Sequence, residues 1–414
     1  MATAISFFSG AGGLDIGLQE AGFDIKLSVE IEKVYCETLR MNHPGLNIIQ
    51  GDIMKFNKTK VYKAAGLSPS NTVDLMVGGS PCQSFSTAGK RQAFSDPRGQ
   101  AMLHFADLVT EIRPQAFLLE NVKGLLSAAL KHRPLNQRGK DFPPLESEEQ
   151  AGSAVSYLLR RFKGYHIEYR LINSADYGVP QKRERVFFVG IRKDLRRRIH
   201  RFPIQTHSKD GLHGTEKWVP VSEVLWKLTE IEHHHMNYSK DRLKYMKMIP
   251  SGGGNWRDLP GDVVREAMGG AFESGGGKVG FFRRIHHDRP SPTLLTSPVQ
   301  KSTNIGHPFE DRPLSIEEYL AIQEFPGGYK VAGSLAQQYT QIGNAVPVKL
   351  GKIIGNSILK AIVTKKNRYN KARYRSKKHK GLKKTVGRRS FGLKLKKISY
   401  LEKNNSKKIE MVKA

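Results

Sequence analysis

Cysteine is nearly missing from this 414-residue chain: Cys36 and Cys82 are the whole supply. Two thiols cannot build a disulfide framework or a cysteine-based zinc site, and their scarcity points to a reducing compartment. Long apolar runs are missing too. The opening stretch MATAISFFSG has no basic segment ahead of an apolar core, and nothing approaches the ~18 uninterrupted apolar residues of a membrane span. A cytoplasmic protein without a membrane partner is expected. Acidic residues are few: 38 Asp and Glu face 68 Lys and Arg, a formal charge of +30. That excess favours a polyanionic partner, nucleic acid before anionic lipid. Hydrophobic residues at 38 % and 40 glycines still leave enough for a packed core, so global disorder is excluded.

The charge is unevenly spread. From Lys365 to the end, 20 Lys and Arg face only Glu402 and Glu410, a net of +18, which leaves +12 for residues 1–364. Residues 364–414 lack helical apolar periodicity and read as a basic, disordered arm able to hold phosphates, or as a solubilising extension with no role.

Ahead of the tail, apolar runs bounded by turn residues alternate with helical patterns, the signature of a mainly parallel α/β sheet. Strands are expected at Ala4–Phe8, Ile25–Glu30, Asn47–Gln50, Val73–Val77, Ala116–Glu120, Ile167–Ile172 and Arg185–Ile191. After Ile191 the rhythm breaks into a Gly- and Trp-containing stretch that reads as a second, loop-rich domain. A last amphipathic helix is expected over Val346–Leu359. His233, His234 and His235 have no Cys or acid at ligand spacing, so no metal is expected.

The first strand runs into Phe8-Ser9-Gly10-Ala11-Gly12-Gly13-Leu14-Asp15. A Gly-rich turn there is where a doubly wound sheet holds a nucleotide-like ligand; it can equally close a strand–helix connection with no ligand. A pyrophosphate fingerprint would need Gly where Asp15 stands. A carboxylate suits a cationic ligand carrying an amino acid, which tilts the reading to S-adenosylmethionine. Glu30 ends the second strand near the ~20-residue offset of a ribose-binding acid, and Asp52 follows the third. The fourth strand ends in Gly78-Gly79-Ser80-Pro81-Cys82-Gln83-Ser84-Phe85-Ser86, which presents Cys82 on a turn at the ligand edge rather than inside an apolar run. The polar segment that follows, 87–99, has the composition of a lid.

Together with Asp96-Pro97-Arg98-Gly99, Glu120-Asn121-Val122, Gln181-Lys182-Arg183-Glu184-Arg185, Arg312-Pro313-Leu314-Ser315 and Gly343-Asn344-Ala345-Val346-Pro347, these segments resemble the DNA (cytosine-5) methyltransferase family, of bacterial type II restriction-modification kind. The resemblance implies a doubly wound mixed α/β sheet of the S-adenosylmethionine-dependent methyltransferase type. Residues 1–191 would be the catalytic and cofactor-binding large domain, 192–310 a smaller target-recognition domain, and 311–338 a hinge. Residues 339–363 would form a C-terminal helix that returns to the large domain.

The implied reaction adds methyl to C5 of a flipped-out cytosine in a specific duplex DNA sequence. C5 is a poor nucleophile until something adds at C6, and a thiolate both attacks and leaves readily. Cys82 takes that role. Glu120 is assigned the hydrogen bond to N3, Arg185 the contact to O2, and Arg183 a share in the catalytic loop. Being two apart on an extended segment, the two arginines should face the same side. Phe8, Gly10, Gly12, Gly13, Glu30, Asp52, Ile53, Pro81, Asn344 and Val346 are the expected S-adenosylmethionine contacts. Gln83, Ser86, Arg98, Arg257, Arg283 and Arg284 are the expected DNA contacts. Ala101 stands where the family carries a larger aliphatic residue. A monomer near the nucleoid is implied, with a cognate restriction endonuclease as a functional rather than physical partner. Two other readings stay open: a tRNA cytosine-5 methyltransferase, and an inactive DNA-binding relative.

Overall fold

The computed structural model describes residues 1–81, 93–195, 199–275 and 278–363. Cys82, Gln83, Ser86 and the basic tail lie outside the described residues. Seven strands form one sheet: β1 (Ala2–Phe7), β2 (Phe23–Glu30), β3 (Asn47–Gln50), β4 (Leu75–Gly79), β5 (Ala116–Val122), β6 (Tyr165–Asn173) and β7 (Glu184–Arg192). Each coincides with an expected run, with ends that differ by at most two residues. The order across the sheet is β3-β2-β1-β4-β5-β7-β6. Pairing is parallel from β3 to β5, whereas β7 runs antiparallel to both β5 and β6. The sheet is therefore mixed, with a single reversed strand.

Helices α1 (Gly13–Glu20), α2 (Lys33–Asn42), α3 (Lys58–Ala64), α4 (Pro97–Ile112) and α5 (Ser153–Arg161) fill the connections. Strand periodicity of two splits the core into two layers. Ile5, Phe7, Val29, Met76, Phe117 and Leu119 pack with Met102, Phe105 and Val109 of α4 and Leu158 of α5. Their neighbours Ala4, Ile25, Leu75, Val77 and Leu118 pack with Leu14 and Leu18 of α1 on the other face. Burying one such Leu or Phe stabilises the fold by roughly 1.5–3 kcal/mol.

Beyond β7 the elements are short: β8 (His207–Ser208), β9 (Glu216–Lys217), α6 (Ser222–Leu225), α7 (Lys240–Met246), α8 (Gly261–Met268) and α9 (Ile316–Ile322). Arginine side chains satisfy the backbone that sheet and helix leave over. Arg284, 3 % exposed, donates to the carbonyls of Met246, Ile249, His307 and Glu310 and pairs with Asp311. Arg242 donates to the carbonyls of Val299, Gln300 and Lys301. Arg312 holds the buried Glu318 through two 2.9 Å bonds, and Glu318 closes a reciprocal cap with Ser315 at the start of α9.

The chain returns through α10 (Leu335–Asn344) and α11 (Val348–Val363). A single helix was expected over 339–363; the break at Ala345–Pro347 has a local cause, because proline forces the residue before it into extended backbone. Leu350, Ile354, Ile358 and Ile362 of α11 complete the layer that α1 begins. Among the described residues no helix is long and apolar enough to cross a membrane.

Candidate active site at the carboxyl edge of the sheet

Connections leave β1 and β4 towards opposite ends of the sheet, and such a switch point opens a crevice at the carboxyl ends of the strands. A cavity of about 460 Å³ lies there. Its first wall is the turn after β1, where Phe8, Gly10 and Gly12 have φ of 58°, 56° and 83°. Glycine adopts that backbone freely, whereas at Phe8 it stores of order 1–3 kcal/mol of strain. The Phe8 N–H donates to Val29 O at 2.9 Å, and the Gly10 N–H donates to Glu30 Oε2 at 2.8 Å. Glu30 Oε1 accepts from the N–H groups of Ile31 and Glu32 at 2.8 and 3.1 Å. Burial pushes the Glu30 carboxyl up, and these three N–H groups oppose the shift. Oε2 keeps a second lone pair for a ligand hydroxyl.

Asp15 departs from expectation. Its carboxylate accepts from Ser6 Oγ at 2.6 Å and Ser28 Oγ at 3.0 Å, so it is bound into the cavity floor rather than left for a cationic ligand. Burial pushes this group up to about 6 against the help of the serines. Gly12 is a second correction: it caps α1 and does not line the cavity. Gly13 does line it, and a Cβ there would sit 2.4 Å from Val346 O, so only glycine lets the returning segment close on the turn.

Asp52, Ile53 and Pro81 line the cavity with Asn344 and Val346, and so do Ala101 and the exposed Arg98. Asp52 also accepts from the N–H of Met54 at 2.9 Å.

At the end of β5, Glu120 is 8 % exposed and its carboxylate Oε1 lies 3.1 Å from Arg185 Nε. Glu120 pairs with Phe187 in the β5–β7 register, which makes Arg185 its diagonal neighbour. Burial drives the Glu120 carboxyl up, and the charges of Arg185 and Arg183 pull it back. Burial thus favours the protonated form of this carboxyl, the form that can donate a hydrogen bond. Pro81, the last described residue before Cys82, lines the same cavity. Asn121 holds that loop by donating to Ser80 O and Oγ at 3.2 and 3.0 Å.

Arg183 breaks from Arg185. Fully buried, it donates to the carbonyls of Leu294, Gly343 and Asn344 and does not line the cavity. Gln181 and Gln323, also buried, join it: Gln181 Nε2 donates to Gln323 Oε1 at 3.0 Å, and Gln323 Nε2 donates to Ile342 O at 2.7 Å. This knot fixes the segment that carries Asn344 and Val346. Asn121 and Gln181 stand inside motifs quoted above, so the signal was present without a role attached; Gln323 carried none. Arg257, Arg283 and Arg284 lie away from the cavity. Arg284 is engaged wholly within the protein, Arg283 donates to Asn304 O and is part-buried, and Arg257 is exposed, 4.9 Å from the Trp256 ring.

The model of the C-5 cytosine-specific DNA methylase family matches residues 2–360. The chain belongs to that family. The methylase is 39 % identical over 359 residues to the type II methyltransferase M.Sau96I of Staphylococcus aureus, covering 85 % of this chain and 74 % of the relative. It is 38 % identical over 365 residues to M.Eco47II of Escherichia coli, covering 86 % and 78 %. Its fold is similar to the crystal structure of S. pombe Dnmt2 methyltransferase, with a TM-score of 0.52 at 15 % identity over 87 % of this chain and 99 % of that one. The methylase is thus an enzyme that acts on DNA, and its mixed α/β sheet is a fold it shares with that methyltransferase structure.

Proposed function

We propose that this enzyme transfers a methyl group from S-adenosylmethionine to C5 of a cytosine in a specific duplex DNA sequence, through a Cys82 adduct at C6. The observation that carries the reading is the buried Glu120–Arg185 pair opening into the cavity that Glu30 and the Phe8–Gly10 turn enclose. The cavity fits the cofactor. Its volume is that of a small-molecule site. Glu30, Glu32 and Asp52 on its walls favour a cation over a phosphate, and the free lone pair of Glu30 suits a ribose hydroxyl. Bound there, S-adenosylmethionine supplies an electrophilic methyl carried on a sulfonium.

The residues of the chain do the rest. Cys82 as thiolate adds to C6, and the electron pair displaced from the C5–C6 bond moves towards N3 and O2. Glu120, whose carboxyl burial drives up, donates to N3 as the protonated acid. Arg185 stabilises charge at O2. Once C5 carries the methyl, loss of the C5 proton restores the double bond and expels the Cys82 thiolate. C6 is out of reach inside a duplex, so the target base leaves the stack. Restriction-modification is the setting, as in the relatives, with the protein acting as a monomer beside a separate endonuclease. The 1–191 and 339–363 segments form the catalytic part and 192–310 the recognition part.

Labelled-methyl transfer tests this directly. Incubation with duplex DNA and with tRNA should label DNA alone, and Cys82→Ser should remove the label while duplex binding persists. Label on tRNA alone overturns the reading, as does wild-type protein that binds duplex and never labels it.

A further inference from the structure

Beside the cavity lies a cluster of cations that the reaction leaves unused. Lys182 stands three residues before Arg185, within about 10 Å of it along the chain. Its backbone is fixed on both sides: the N–H donates to Ser291 O at 2.7 Å, and the carbonyl accepts from Thr293 Oγ1 at 2.8 Å. The ammonium lies 4.7 Å from the centre of the Trp218 ring. That ring is itself anchored, its indole N–H donating to Asp176 Oδ1 at 2.9 Å and its backbone N–H to Ser208 O at 2.9 Å. Backbone pairing brings the other two cations alongside: Ser208, whose carbonyl meets the Trp218 N–H, precedes Lys209, and Ser291, whose carbonyl meets the Lys182 N–H, lies two residues after Arg289. Burial, and then the charges of Arg289 and Lys209, hold the Lys182 ammonium below the usual lysine range. Arg289 has Asp288 at 3.3 Å and His286 at 3.4 Å, and all three cations are exposed. Among the described residues neither Lys182 nor Lys209 is in a salt bridge.

Like charges gathered on a rigid platform cost free energy until an anion lies among them. We propose that Lys182, Lys209 and Arg289 bind a phosphodiester of the duplex close to the reacting cytosine, with Trp218 as the platform beneath. The inference rests on the DNA-methylating function above and assigns it a backbone anchor on the β7 side of the site. Such a contact sets register on the duplex and carries no sequence information.

Full-length Lys182→Gln, Lys209→Gln and Arg289→Gln proteins, each checked for folding by circular dichroism, are compared with wild type for duplex affinity between about 50 and about 200 mM salt. Each substitution should weaken binding and reduce the slope of log K against log salt by roughly one. Lys182→Arg should keep the wild-type slope. In Trp226→Phe/Trp256→Phe protein, where Trp218 is the remaining tryptophan, duplex should change the emission and inorganic phosphate at matched ionic strength should not. Three unchanged slopes overturn the anchor, and so does a Trp218 signal that ignores duplex or that phosphate reproduces. Methyl transfer to duplex by the wild-type sample, measured alongside, separates that outcome from failure of the DNA-methylating reading itself.

Discussion

The carboxyl edge of the sheet and the region from residue 199 to 310 face the same demand, that buried backbone N–H and C=O groups find partners. The sheet meets it with ladders. Alternating apolar residues can then divide between two core layers, and the strand ends are left to carry Glu30, Pro81, Glu120 and Arg185 into one cavity. The 199–310 region has few ladders and uses guanidinium groups, whose five donors in a rigid fork reach several carbonyls at once. Arg284 and Arg242 do this work, and Arg183 does it at the seam between the two regions. An arginine at a strand end therefore has a different meaning from one in irregular chain. Arg185, at the strand end, is left for a ligand, whereas Arg284 and Arg242 are absorbed by the irregular chain around them.

Substitutions put that contrast to the test. The largest effect belongs to the cavity: Glu120→Gln should lower the methyl-transfer rate by about 10²–10⁴-fold while the protein stays folded, since it removes a proton donor and leaves the shape. A rate near wild type in single-turnover assays would detach Glu120 from the chemistry. Next comes Arg284→Met, which leaves buried carbonyls and Asp311 unpartnered and should destabilise the protein by about 3–5 kcal/mol in denaturant unfolding. A value near zero would return Arg284 to the list of DNA contacts.

Asp15 supplies an intermediate effect with a defined pH course. Its folded pKa, about 6, lies above the ordinary 3.8, so the folded state holds the proton more tightly. The stability this contributes is full below about pH 4 and is lost as pH rises through 6. Asp15→Asn has no such titration. The stability of wild type relative to this variant should therefore fall by about 2–3 kcal/mol between pH 4 and pH 7, and a pH-independent difference would contradict the buried-carboxyl assignment. The smallest effect is at Arg257, exposed over Trp256, where Met should change stability by about 0.5 kcal/mol or less. A loss as large as that at Arg284 would erase the contrast.

These differences also explain what could be read from the chain alone. All seven strands were visible because buried strands need contiguous apolar residues between turn formers, and the turn was visible because the positive φ at Gly10 and Gly12 favours glycine. The reversal of β7 was not, since apolar runs carry no direction. Glu120 and Arg185 are the pair that the family resemblance assigns to the base, and they meet at 3.1 Å. Arg183 was assigned to the same face by strand alternation, but it precedes the first residue of β7, where alternation does not yet hold. The carboxylate of Asp15 was read as a ligand group because Ser6 and Ser28 reach it only in three dimensions. Between 199 and 310 no periodicity constrains the chain, so buried and exposed arginines looked alike.

The proposed chemistry turns on the covalent addition of Cys82 to C6 of a cytosine in duplex DNA. Bisulfite sequencing of DNA from cells expressing the enzyme gives the target sequence. A duplex carrying 5-fluorocytosine at that position, incubated with full-length protein and S-adenosylmethionine, tests that addition, because a fluorine at C5 cannot leave as a proton. A denaturation-resistant protein–DNA species, mapped to the Cys82 peptide and absent from Cys82→Ser, is the expected result. Turnover on ordinary duplex with no trapped species would contradict it.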